Sequence, residues 1–131
     1  MNRYKVLFFF ILFTITSIAY AQKPLILCEK STHDFGKIPE DGGSVVHTFI
    51  IKNVGKAPLL LTNAHASCGC TTPEWTKQPI LPGKTGTVKV TFDPKGRPGV
   101  FTKTIAMSNN AMKKALTLII RGNVIEKEEK K

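Results

Sequence analysis

Thr85-Gly86-Thr87-Val88-Lys89-Val90-Thr91-Phe92-Asp93 changes character at every step. Val88, Val90 and Phe92 fall on one side, and Thr87, Lys89 and Thr91 on the other. A period of two belongs to a strand with one face on a core and one in water. The stretch therefore predicts a half-buried strand, and the rest of the chain can be tested for partners of the same kind.

Upstream, Ser44–Asn53 repeats the pattern, with Val45, His47, Phe49 and Ile51 on one side and Thr48 and Lys52 on the other. Leu59–Ala66 reads as another strand, its Leu59-Leu60-Leu61 start suggesting burial on both faces. Leu25–Glu29 is a short first strand, and Thr71–Lys77, with the single Trp75, is a further short one. Phe35 and Ile38 are expected core anchors. Downstream, Val100–Ser108 and Ala115–Val124 alternate again, the first through Phe101, Ile105 and Met107, the second through Leu116, Leu118 and Ile120. Turn residues separate the runs: Glu40-Asp41-Gly42-Gly43, Asn53–Pro58, Asp93-Pro94-Lys95-Gly96-Arg97-Pro98-Gly99 and Asn109-Asn110. Prolines keep Pro79–Gly83 out of a central strand. No segment outside the N-terminal stretch holds helical spacing for ten residues, so the long crossovers of a parallel α/β sheet are missing. About seven short strands divided by frequent turns predict an all-β, immunoglobulin-like antiparallel β-sandwich.

The two ends read differently. Met1–Ala21 has a basic start in Arg3 and Lys5, an apolar run over Val6–Ile18, and an A-x-A site at Ala19-Tyr20-Ala21, the three parts of a secretory signal peptide. The run falls short of the ~20 residues that span a bilayer, so cleavage after Ala21 is expected rather than a stable membrane anchor. A lipid anchor on Cys28 needs a small preceding residue, and Leu27 is large. Residues 22–125 then form the domain, and 126–131 a charged, disordered tail. The expected location is the periplasm or cell envelope.

Of the 131 residues, 19 are Lys or Arg and 9 are Asp or Glu, a net +10; without Arg3 and Lys5 the mature chain keeps 17 basic side chains and +8. The lysines are scattered and no aromatics interleave with them, so a solvated basic surface is expected and nucleic-acid binding is not.

Three cysteines in an exported chain cannot all pair with one another. Cys68 and Cys70 flank Gly69 in Ser67-Cys68-Gly69-Cys70-Thr71, and Cys28 lies in the first strand. Cys28 could bond one of the two, or Cys68 could bond Cys70 around the glycine. The pair could join His65 in holding copper or zinc, or both could be reduced and packed. The reading adopted places Cys68 and Cys70 together at a sandwich end with Cys28 apart. No helix start lowers a thiol pKa here, and His65, Cys68 and Cys70 make only three ligands. No cofactor, metal or catalytic residue is therefore assigned. His33, His47 and His65 are isolated in sequence, no serine sits in a nucleophile motif, and no glycine-rich loop opens a helix. Asn53 and Gly55 read as a strand-end turn.

His33-Asp34-Phe35-Gly36-Lys37-Ile38, Phe49-x-x-Lys52-Asn53-x-Gly55, Ser67-Cys68-Gly69-Cys70-Thr71, Pro82-Gly83 and Phe92-Asp93-x-x-Gly96-x-x-Gly99 occur in that order. Together they resemble domain-of-unknown-function family 1573, exported bacterial proteins common in the Bacteroidetes group, from about Leu25 to Val124. The resemblance implies an immunoglobulin-like sandwich and no established activity; Cys28 lies outside its pattern. The expected function is a non-catalytic envelope module that binds or scaffolds another protein or envelope polymer. The alternative is a thiol-redox or copper/zinc-binding module using Cys68 and Cys70.

Overall fold

A computed structural model describes residues 21–126, so all but the last residue of the expected signal peptide and all but the first of the expected tail lie outside the described residues. The chain runs through eight strands: β1 (Ile26–Leu27), β2 (Thr32–Pro39), β3 (Val45–Asn53), β4 (Leu61–Ala66), β5 (Thr71–Trp75), β6 (Thr85–Phe92), β7 (Gly99–Asn109) and β8 (Leu116–Ile125). No helix occurs among the described residues. The strands form two four-stranded sheets, ordered β1-β3-β6-β5 and β2-β8-β7-β4. The expected sandwich is the fold, with one more strand than the sequence suggested.

The core lies between the sheets and is built by the alternation described above. Val88, Val90 and Phe92 of β6 are fully buried, and they meet Ile105 and Met107 of β7 and Leu118 and Ile120 of β8. Phe92 stacks on Phe101 across the layers, with ring centroids 4.1 Å apart. On the outer face of the first sheet β6 places Lys89 opposite both Thr48 and Glu74.

One pairing departs from the antiparallel expectation: β2 runs parallel to β8. The edge segment divides itself between the layers. It pairs with β3 as β1, crosses the side of the sandwich through Cys28–Ser31, and enters the second sheet as β2. A two-residue period is the same in either direction, so the sequence carries no sign of this. Within β2 a bulge falls between Asp34 and Lys37. Gly36 adopts φ 67° there, and its N–H donates to Asp34 Oδ1 at 2.8 Å; only glycine takes that backbone region without steric cost.

The Leu59-Leu60-Leu61 run is not buried on both faces. Leu59 and Leu61 are buried and Leu60 is 38% exposed, because the strand begins at Leu61 and the run alternates like the others. Leu59 instead makes a single bridge to Ile80, each N–H donating to the other's carbonyl. That bridge gives the proline-rich Pro79–Gly83 loop its buried anchor.

Asn53 ends β3 with its side chain completely buried. Its Nδ2 donates to the carbonyls of Ala57 (2.7 Å) and Ile80 (2.8 Å). Its Oδ1 accepts from the N–H groups of Gly55 (2.9 Å) and Leu25 (3.4 Å). One amide thus ties together the entry to β1, the turn after β3 and the loop before β6. A side chain at Gly55 would meet the backbone of Leu25 and Lys23, which explains the glycine two residues on.

Candidate functional site

The cysteine motif turns the chain from β4 into β5 at one end of the sandwich. Cys68 and Cys70 are joined by a disulfide, with their Cα atoms 5.3 Å apart, inside the span that a disulfide bridges. The Cys70 N–H donates to Cys68 Sγ at 3.1 Å, and the Cys70 carbonyl accepts from the Asp93 N–H at 2.9 Å. Cys70 belongs to the core, whereas Cys68 is half-buried. An incoming thiolate would therefore meet Cys68 first, with Cys70 as the leaving group.

Cys28 stands apart, free and half-buried just past β1. Burial pushes its thiol pKa up, against a smaller lowering from a backbone hydrogen bond at Lys30. A thiol held neutral in this way is a poor nucleophile. His65 lies on β4 opposite Ala106, with its side chain exposed. Among the described residues no group of three or more His, Cys, Asp and Glu side chains is placed to hold a metal ion.

The other two histidines, isolated in sequence, meet in space. His33 of β2 stacks on His47 of β3, with ring centroids 3.7 Å apart and planes 6° from parallel. Phe35 packs nearly perpendicular to His33 with ring centroids 4.6 Å apart, and Phe49 does the same with His47 at 4.7 Å. These four rings close the seam where the edges of the two sheets face each other. In the sequence only His47 has an inward place on an alternating strand; its pairing with His33 depends on sheet order.

The seam holds His47 below its ordinary pKa, first through desolvation by burial and then through repulsion from His33. A base whose folded pKa is depressed contributes stability above its unfolded value, about 6.5, and that contribution is lost as pH falls through the folded value. The melting temperature should accordingly decline on acidification below about pH 6.5, and His47→Phe should flatten that decline. An unchanged pH profile in the variant would remove His47 as its cause.

Beside the seam lies an uncovered strand edge. β1 pairs with β3 only at Asn53 and Lys52. Among the described residues no strand covers the remaining length of β3 on that side. The Val54 N–H donates to the Leu25 carbonyl, so even-numbered residues of this strand direct their backbone groups toward the uncovered side. Lys52 already meets β1, which leaves Val46, Thr48 and Ile50, and the side chains of Val46 and Ile50 are 49% and 55% exposed. A cleft of about 440 Å³ runs along the edge, between Leu27, Glu29 and Lys30 on one side and His47, Phe49 and Ile50 on the other.

The other sheet edges are protected. β5 carries Pro73 and Glu74, β2 carries its bulge with Asp34, Lys37 and Pro39, and β4 carries a bulge between Leu61 and Asn63. Prolines, charges and bulges are the usual means of preventing strand addition. From Ser44 to Ile51 there is no proline, Lys, Arg, Asp or Glu. The β3 edge is left fit to accept a strand.

This architecture is shared with known structures. A protein of unknown function from Porphyromonas gingivalis W83 matches with TM-score 0.68 and 18% identity, over 85% of this chain and 51% of that one. Human CEP192 PapD-like domain 7, an ASH/PapD-like domain, matches with TM-score 0.59 and 15% identity, over 86% of this chain and 98% of that domain. Vibrio cholerae VesB protease matches with TM-score 0.58 and 17% identity, over 78% of this chain and 32% of that one. At these identities the likeness is one of fold, and the chain spans about half of the Porphyromonas protein and about a third of the protease. No curated protein sequence matches significantly. The family model described as protein of unknown function, DUF1573, matches residues 26–124, and to that family this chain belongs.

Proposed function

We propose that the chain is an exported, non-catalytic immunoglobulin-like module of the bacterial cell envelope that binds or scaffolds another protein or an envelope polymer. The observation that carries this reading is the uncovered β3 edge. Three residues offer backbone donors and acceptors there, beside an apolar cleft and two exposed apolar side chains. An extended segment laid along such an edge gains affinity from main-chain hydrogen bonds and selectivity from alternate side chains. Export is supported by the signal pattern of Met1–Ala21.

A photo-crosslinking amino acid placed at Thr48, in cells producing the full chain, tests the reading. Envelope material should crosslink from Thr48 and not from Thr117, which lies on β8 in the opposite sheet. The recovered chain should begin at Gln22. Equal labelling from both positions, or recovery of the chain in the cytoplasm, would refute it.

A further inference from the structure

The uncovered edge has a second property, a pattern of residue types, β-branched, aromatic and again β-branched, that is symmetric about Thr48. Val46 and Ile50 lie symmetrically about Thr48, and these are the three residues of β3 whose backbone groups point outward. We propose that this edge pairs with the same edge of a second copy of the chain, antiparallel about a twofold axis at Thr48. This inference rests on the β3-edge reading above and names its partner.

In that register Thr48 faces its own counterpart and exchanges both main-chain hydrogen bonds with it. Val46 faces Ile50 of the second copy, and Ile50 faces Val46. All three side chains lie on the outer face, so two β-branched apolar pairs flank a Thr–Thr pair, a favourable cross-strand set. On the inner face His47 falls opposite Phe49 of the second copy, extending the aromatic seam. Centring the axis at Ile50 would need Lys52, which β1 occupies, and centring it at Val46 would set Ile50 opposite residue 42, before the strand begins.

Charge is consistent with this register. Residues 44–51 carry no charged side chain and Lys52 is already covered by Leu27 of β1, so no two lysines of the edge meet. The remaining opposition is long-range, from two chains that each carry +8 without Arg3 and Lys5. Added salt screens such repulsion. Self-association should consequently strengthen with salt, whereas binding of an acidic partner would weaken.

The chain purified without its signal peptide, with Cys28→Ser to remove the free thiol, provides the test. Under mild oxidation Thr48→Cys should form a disulfide-linked dimer. Thr87→Cys, exposed on β6 one strand inward, should not. Sedimentation of the unmutated chain should show a monomer–dimer equilibrium that shifts toward dimer as sodium chloride rises. Ile50→Lys, at a solvent-exposed position, should keep the circular dichroism spectrum and weaken the dimer roughly tenfold or more. A chain that sediments as a monomer at every salt concentration, with Thr48→Cys linking no faster than Thr87→Cys, overturns the proposal. If crosslinks from Thr48 to other envelope proteins persist in cells, that result overturns only the second copy as partner. Loss of those crosslinks as well removes the β3-edge reading itself.

Discussion

Replacing Asn53 with Ala should lower the free energy of unfolding by about 4 kcal/mol, measured by urea denaturation of residues 22–131. The side chain is completely buried and serves two carbonyls and two N–H groups of three separate segments. A buried backbone group left without a partner costs about 1–3 kcal/mol, and water entering the truncated site recovers only part of that. The loss should be concentrated where β1 and the Ala57–Ile80 region meet β3, so hydrogen exchange there should accelerate before global unfolding. A loss below about 1 kcal/mol would mean that the four hydrogen bonds are readily replaced.

Phe92→Ala should cost about 3–5 kcal/mol, the range for truncating a buried aromatic. Phe92 has no exposed surface, and its ring lies 18° from the plane of Phe101 in the facing sheet. Phe101 in turn packs over Gly122, where an added Cβ would come within 2.9 Å of its ring. The facing strands therefore have little room to close the vacated space. A double-mutant cycle with Phe101→Ala should give a coupling of about 0.5–1.5 kcal/mol, the part of the ring pair beyond area burial. Additive losses would show that the two rings act as independent fillers of the core.

The alternation from Val88 to Phe92 made the sandwich legible because a two-residue period leaves a strand only one way to bury a face. It also placed Phe49, Ile51, Ile105, Leu118 and Ile120 in the core where they are found. Asn53 read as an ordinary turn residue, because nothing local shows that an amide will be enclosed by segments four and twenty-seven positions away. The Leu59-Leu60-Leu61 run misled for the opposite reason: three adjacent leucines carry no period, so burial of alternate members cannot be told from burial of all. The parallel entry of β2, the stacking of His33 on His47 and the uncovered side of β3 all depend on which strands neighbour which. Sheet order is a property of the whole chain, and no single stretch states it.

β3 has one covered and one uncovered side, and amide hydrogen exchange on dilute protein of residues 22–131 measures that directly. The N–H groups of His47, Phe49 and Ile51 point toward β6 and should exchange slowly, while those of Val46, Thr48 and Ile50 exchange fast at the same concentration. Raising the protein and salt concentrations should protect the second set alone. Equal protection of both sets in the dilute monomer would show that the edge is already covered and contradict an open β3.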